Sequence, residues 1–153
     1  MMDLLDQFEK EFKKMREELG FSASLDELDT VFHLRDFIQQ VGFVSTSLDR
    51  MLSGRIRDTF SSWIGYLHGL AMPNPGYMPA AEEASLFENQ REEIFVLMRK
   101  YIALSNENAI IGLEQDKKRQ AEFFDEALAL WNETKPQLLK YLQRTHTHWR
   151  SLS

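Results

Sequence analysis

Five side chains near the middle of the chain have the chemistry to bind a small ligand: Trp63, Tyr66, His68, Asn74 and Tyr77. They combine polar-tipped aromatic rings with a segment, residues 72–79, that contains three prolines. Aromatic faces beside a rigid loop often form ligand sites. A helix end that packs under a proline-rich crossover has the same composition, and we prefer this packing interpretation.

The sequence contains three candidate metal ligands: Asp29, His33 and Asp36. Steps of four and three place them on one face of a helix, where His68 from the next helix would complete a site. Arg35 adjoins this face, which is typical of a solvated helix surface. The Glu-x-x-His pairs of carboxylate-bridged bundles and the His-Glu-x-x-His motif do not occur in the sequence. We therefore predict no metal site and no cofactor.

An acidic pair near the start of the last predicted helix offers another chemistry. Glu122 and Asp125 have a Glu-x-x-Asp spacing that resembles half of the magnesium site of all-helical pyrophosphohydrolases. The other half in those enzymes is a pair of adjacent glutamates with a further one three or four residues on, whereas Phe95, Val96 and Leu97 occupy those positions after Glu92-Glu93. Magnesium needs several converging oxygen ligands. The resemblance implies a metal-dependent nucleotide-processing enzyme, which we keep as part of an alternative function.

Other catalytic classes have no support in the sequence. The chain contains no cysteine, which excludes thiol nucleophiles, thiolate metal sites and disulfides. Neither Gly-x-Ser-x-Gly nor a glycine-rich phosphate loop occurs. The net charge of −6 disfavours nucleic acid as a partner, because proteins that bind it usually present a basic face.

The elements that position these residues are predicted to be α-helices. Apolar residues recur at steps of three and four almost throughout, and no alternating strand pattern is found. A length of 153 residues suits one domain, residues 1–153. We expect an all-α fold: an antiparallel bundle of four to five helices, with the proline-rich segment as a crossover loop in the middle.

Helix boundaries in the first half follow from capping residues. Gly20 should end the first helix, and a capping box formed by Ser24 and Glu27 should begin the second, which runs to Gly42. The third starts after Ser45 or Ser47 and ends near Ala71. It is unusually rich in small residues, which either let another helix approach closely or leave room against the backbone: Gly54, Ser61, Ser62, Gly65 and Gly69.

Boundaries in the second half leave two choices open. The fourth helix should start near Glu82, and it either breaks at 106–108 or continues to Gly112. The last helix begins near Asp116. Pro136 should kink it or force a restart, for which the caps would be Asn132 or Thr134.

These patterns favour a protein-interaction or self-association module, and a homodimer in particular. The chain has 11 phenylalanines and 3 tryptophans, and apolar neighbours such as Phe123-Phe124 and Phe37-Ile38 widen the helix stripes. The alternative is a small-ligand or metal-dependent nucleotide-processing enzyme with a pocket between helices. Asp3 and Asp6 interrupt any signal peptide, and no apolar run could span a bilayer, so we expect a cytoplasmic protein that does not contact membranes.

Overall fold

The computed structural model describes residues 2–72 and 85–151. The all-α class is confirmed, and a 3-10 turn at Glu88–Gln90 precedes the fifth helix. The proline-rich segment predicted as the crossover loop lies outside the described residues, as does the predicted start of the fourth helix. The described helices are α1 (Leu4–Leu19), α2 (Leu25–Phe32), α3 (Leu34–Val41), α4 (Leu48–Ala71), α5 (Arg91–Glu114) and α6 (Lys117–Ser151).

The predicted caps of the first helices are confirmed. Gly20 ends α1 with φ 81°, and Gly42 ends α3 with φ 86°. Glycine adopts this left-handed conformation without the steric cost that a Cβ imposes. At the start of α2 the Ser24 hydroxyl accepts from the Glu27 amide, and the Glu27 carboxylate accepts from the Ser24 amide.

The prediction of one continuous helix between residues 25 and 41 is wrong. His33 adopts φ 54° and ψ 49°, which ends α2 and lets α3 begin at the next residue. The Asp29 carboxylate fixes this corner, because it accepts from the Arg35 amide at 2.8 Å and pairs with the Arg35 guanidinium at 3.0 Å. Arg35 also contacts Glu9 of α1 at 3.3 Å. The described chain therefore has six helices rather than four or five.

Three long helices form the rest of the bundle. α4 and α5 run antiparallel, and the Arg50 guanidinium near the start of α4 donates to the Gly112 carbonyl near the end of α5 at 3.3 Å. α5 continues through residues 106–108 to Glu114, so the break considered there does not occur. Gln115, with φ 56°, makes the tight turn into the antiparallel α6. None of the helices in the described ranges is long and apolar enough to cross a lipid bilayer.

α6 is one helix, and the predicted restart near Pro136 is wrong. Thr134 does not cap a helix start; its buried hydroxyl donates to the Leu130 carbonyl and accepts from the Tyr101 hydroxyl, both at 2.7 Å. Pro136 lies on the exposed side of α6. The carbonyl of Asn132, which loses its helical partner, therefore lies on the side that water can reach.

The core is aromatic where α4 meets its neighbours. Phe60 of α4 is fully buried. Its ring centroid lies 5.8 Å from Phe32 of α2, 4.9 Å from Tyr101 of α5 and 6.3 Å from Trp131 of α6. Offset and edge-to-face ring pairs at these separations stabilise a core beyond their buried area. Phe60 thus joins four helices at one point.

A second buried contact between α5 and α6 involves a tyrosine. The Tyr141 hydroxyl donates to Glu93 at 2.8 Å and accepts from the Gln137 amide at 2.6 Å. Burial of the ring, and to a smaller extent the Glu93 carboxylate, raise the pKa of Tyr141 to about 12. The phenol is therefore held neutral in the folded chain.

We expect Tyr141 to make stability depend on alkaline pH. In the unfolded chain its pKa is close to 10.0, and folding raises it to about 12, so the unfolded state loses the proton first. The contribution is complete below pH 10.0 and is lost as the pH rises through about 12. Urea unfolding of the wild type and Tyr141→Phe across this window should show a shallower loss in the variant. Parallel losses would contradict the assignment.

Candidate functional site

The predicted aromatic site is brought together only in part. Trp63 and Tyr66 are half-buried on α4, with ring centroids 5.6 Å apart, and Trp63 also lies 6.0 Å from Trp131 of α6. His68 is exposed, and its spacing of two from Tyr66 directs it to another side of the helix. Among the described members of the set, Trp63 therefore packs α4 against α6, and Tyr66 packs against Trp63. Outside the described residues lie its two loop members, Asn74 and Tyr77.

The metal candidates do not share one helix. His33 separates α2, which carries Asp29, from α3, which carries Asp36. The two Asp29 oxygens are taken up by Arg35. Within residues 2–72 and 85–151, no group of three or more histidine or acidic side chains is placed to hold a metal ion.

Asp125, the aspartate of the Glu-x-x-Asp pair, has a structural role. Its carboxylate accepts from the Ser22 amide at 2.9 and 3.1 Å and from the Ala23 amide at 2.7 Å. These bonds fasten the connection between α1 and α2 to α6. Glu122, its partner in the motif, is exposed to solvent. The spacing that resembles a magnesium half-site is thus explained by the attachment of the N-terminal helices.

A polar cleft, which the sequence analysis did not single out, lies at one end of the bundle. It has a volume of about 790 Å³ and lies between the start of α4, the end of α5 and the start of α6. This volume falls in the range of roughly 300–1,000 Å³ that small-molecule sites occupy. The residues of the cleft that matter most are Arg50, Ser53, Gly54, Arg57, Asn108 and Gln120.

The interior of the cleft carries polar side chains that are almost fully buried. Ser53 is 3% exposed and donates to the Arg50 carbonyl, and Gln120 is 3% exposed and donates to the Asp49 carbonyl. Asn108 is 8% exposed and lines the cleft, and no described side chain bonds to its amide. Because it lines the cleft, this amide is open to a ligand.

Three basic side chains line the cleft, Arg50, Arg57 and Lys117, together with two acidic ones, Asp49 and Asp116. Asp49 pairs with Lys117 at 2.8 Å, and Asp116 accepts from the first amides of α6 at 3.0 and 3.2 Å. Arg50 donates to the Gly112 carbonyl at 3.3 Å, and Arg57 forms an ion pair with the exposed Asp58 at 3.4 Å. The acidic groups are therefore engaged, while the two guanidinium groups retain donors for another acceptor.

Two glycines, Gly54 and Gly112, line the cleft. A Cβ added at Gly54 or at Gly112 would meet no described atom within 4 Å. Of the two explanations for the small residues of α4, close helix approach and open space, the second therefore holds at Gly54. Each glycine within a helix costs about 1 kcal/mol relative to alanine.

The exposed side of α5 is the second unusual surface, and we call it the α5 outer face. Val96, Ile102 and Ile110 are 43%, 40% and 39% exposed on it, and Leu113 is 87% exposed. The opposite side of α5 is buried in the core. A helix that is apolar on both sides is normally covered on both. The members of the α5 outer face are Val96, Arg99, Ile102, Ala103, Asn106, Ala109, Ile110 and Leu113.

The sequence pattern predicted wider apolar faces at Phe123-Phe124 and at Phe37-Ile38. Phe123, Phe124 and Ile38 are fully buried, so these residues serve the interior of the bundle. The sequence feature that could have predicted the α5 outer face lies in α5 itself. Val96, Ile102 and Ile110 fall outside the apolar stripe that packs on the core. A helix with apolar residues on every side is the pattern that predicts such a face.

The cleft and the α5 outer face are two features of the described chain that its own packing does not explain. The α5 outer face exposes apolar side chains to water, and the cleft leaves polar side chains open to a ligand. Comparisons with protein-family models, with curated proteins and with solved structures gave no match to this chain.

Proposed function

We propose that the protein is a self-association module in which two copies pair through the α5 outer face, with their α5 helices antiparallel. The observation that carries this proposal is the apolar exposure of Val96, Ile102, Ile110 and Leu113 along one side of a helix whose other side is already buried. The face runs for about 25 Å, at 1.5 Å per residue. Exposed apolar surface of this kind is typical of protein interfaces.

The order of residues along the face suits a second copy of the same chain. In an antiparallel pair centred near Asn106, Ala103 of one copy lies opposite Ile110 of the other, and Ile102 fits between Ala109 and Leu113 of the other. Small residues opposite large ones allow the helices to approach closely. Asn106 then meets its own counterpart, and a central polar residue of this kind defines the register of a helix pair.

The charges at the ends of the face are also self-complementary. Arg99 lies toward the start of α5, is 67% exposed and contacts Glu92 at 3.5 Å. Glu114 lies at the end of α5, is 57% exposed and pairs with Arg119 at 2.9 Å. The antiparallel register places Arg99 of each copy beside Glu114 of the other. A parallel pair would align like charges instead, which opposes association. The proposal therefore commits to a two-fold symmetric homodimer.

Substitution of Ile110 by glutamate should abolish the dimer, because two carboxylates would be buried at the symmetric contact. Sedimentation velocity over a concentration series should show a monomer–dimer equilibrium for the wild type, with a dissociation constant in the micromolar range expected for a small interface. Ile110→Glu should remain a monomer at every concentration with unchanged helicity. A wild type that is strictly monomeric would overturn the proposal.

Two further variants separate a specific interface from general hydrophobic attraction. Leu139→Glu is the matched control, because Leu139 is 42% exposed, close to the 39% of Ile110, but lies on α6. It should leave the dimer unchanged. Arg99→Glu should weaken the dimer at least tenfold, and adding Glu114→Arg should restore it, since the swap re-forms the proposed pairs. Equal disruption by Leu139→Glu, or no restoration, would contradict the register.

A further inference from the structure

We propose that the polar cleft between α4, α5 and α6 binds a small organic anion, with its phosphate or carboxylate group over Gly54 and a neutral hydrogen-bonding group at Asn108. The cleft shares Ala109 and Leu113 with the α5 outer face, but the inference rests on Arg50, Gly54 and Arg57 of α4 and not on self-association. Three features support it: an oxyanion position, an amide that lines the cleft and open space beside Gly54.

The oxyanion position lies on one side of α4. Arg50, Gly54 and Arg57 are separated by four and three residues, so they follow one another along the same face of the helix. The two arginines are about 10 Å apart along the axis, and a guanidinium on its flexible stem can reach the space between them. Arginine forms bidentate hydrogen bonds with phosphate and carboxylate oxygens. Gly54 lets such a group approach the helix surface because no side chain occupies that space.

The electrostatics of the cleft favour a negative group at this point. The neighbouring Asp49 is neutralised by Lys117 at 2.8 Å, so it does not repel an anion strongly. Both guanidinium groups keep donors available.

The Asn108 amide indicates that the ligand has a second polar group. Its side chain lines the cleft, is 8% exposed and makes no hydrogen bond to any described residue. An amide can donate and accept at the same time, so it suits a hydroxyl or amide group better than a second charge. The ligand therefore carries an anionic end and a neutral polar end, within a cleft of about 790 Å³.

The test is an NMR titration of the full chain with three separate probes: inorganic phosphate, succinate and, as the control, sodium chloride at matched ionic strength. Phosphate, succinate or both should shift the Gly54 amide and the Asn108 side-chain amide saturably, with a dissociation constant of about 1–10 mM for an isolated anionic group. Phosphate alone would assign a phosphorylated ligand, and succinate alone a carboxylated one. If neither shifts these signals more than chloride does, the proposal is overturned.

Variants locate the anion and separate this proposal from the dimer. Arg57→Gln should weaken the shifts about tenfold, and Gly54→Leu should remove them by filling the space. Gly65→Leu is the matched control, because a Cβ at Gly65 also meets nothing described within 4 Å, and leucine favours a helix more than glycine in both places. Loss of binding in Gly65→Leu, or binding retained in Gly54→Leu, would overturn the proposal. Repeating the titration with Ile110→Glu keeps failure of the dimer distinct from failure of the cleft.

Discussion

Replacing Asp125 with alanine should lower the free energy of unfolding by about 3 kcal/mol, because charge-assisted hydrogen bonds contribute roughly 1.5–3 kcal/mol and unpaired buried amides add a penalty. The substitution leaves the amides of Ser22 and Ala23 without their acceptor, and Ala23 is 4% exposed, so water cannot readily replace the carboxylate. For a chain of this size the melting temperature should fall by about 10 °C.

Two further variants test whether the loss of stability comes from the hydrogen bonds of Asp125. Glu122→Ala removes an exposed carboxylate one turn earlier on α6 and should change stability by less than about 0.5 kcal/mol. Asp125→Asn keeps one acceptor oxygen and should lie between the wild type and alanine. The measurement is urea unfolding followed by circular dichroism. A wild-type stability in Asp125→Ala, together with a magnesium-dependent melting temperature in the unmodified chain, would instead favour the metal-dependent enzyme.

Replacing Phe60 with alanine should cost about 3–5 kcal/mol, the range for removing a large aromatic side chain from a closed core. Phe60 is fully buried, and its ring contacts those of Phe32, Tyr101 and Trp131, so three other helices lose a packing partner at once. The Trp131 fluorescence should change, because its ring lies 6.3 Å from Phe60 and would lose this packing partner.

The matched control for this substitution is Phe43→Ala, because the same ring is 56% exposed there. Its truncation should change stability by less than about 0.5 kcal/mol. Phe60→Leu should be intermediate, since leucine fills part of the cavity. Equal effects of Phe60→Ala and Phe43→Ala would show that the core is not centred on Phe60.

Local chemistry explains which parts of the fold could be predicted from sequence. Gly20 and Gly42 end helices and Ser24 begins one because caps depend on neighbouring residues within a turn. His33 could not be anticipated in the same way. A histidine with positive φ is uncommon, and it is held here by the Asp29–Arg35 contacts, which become visible only once the chain is folded.

The restart considered at Pro136 does not occur, for a related reason. Proline weakens a helix by about 3 kcal/mol or more when its missing hydrogen bond is buried. In α6 it occupies an exposed position, while Thr134 and Leu138 on the other side hold the helix in the core. Tertiary packing therefore outweighed the local preference, and a single sequence did not show which side of the helix the proline would occupy.

The candidate sites were harder to predict than the fold. The cleft combines residues from three helices that are far apart in sequence, such as Arg57 and Asn108, and neither belongs to a short motif. In contrast, the acidic residues that fit metal-binding spacings already have partners within the chain. Asp29 accepts from Arg35, and Asp125 accepts from the amides of Ser22 and Ala23. Spacing along a chain identifies a shared helix face, but it does not show which partners already occupy the side chains on it.

The attachment of Ser22 to Asp125 joins residues that are 103 positions apart in the chain. During translation, α1 and α2 therefore leave the ribosome long before the helix that holds their connection has been made. Until then the Ser22 and Ala23 amides have no acceptor in the chain other than water. The attachment of α1 and α2 to the bundle is therefore completed only after α6 has emerged.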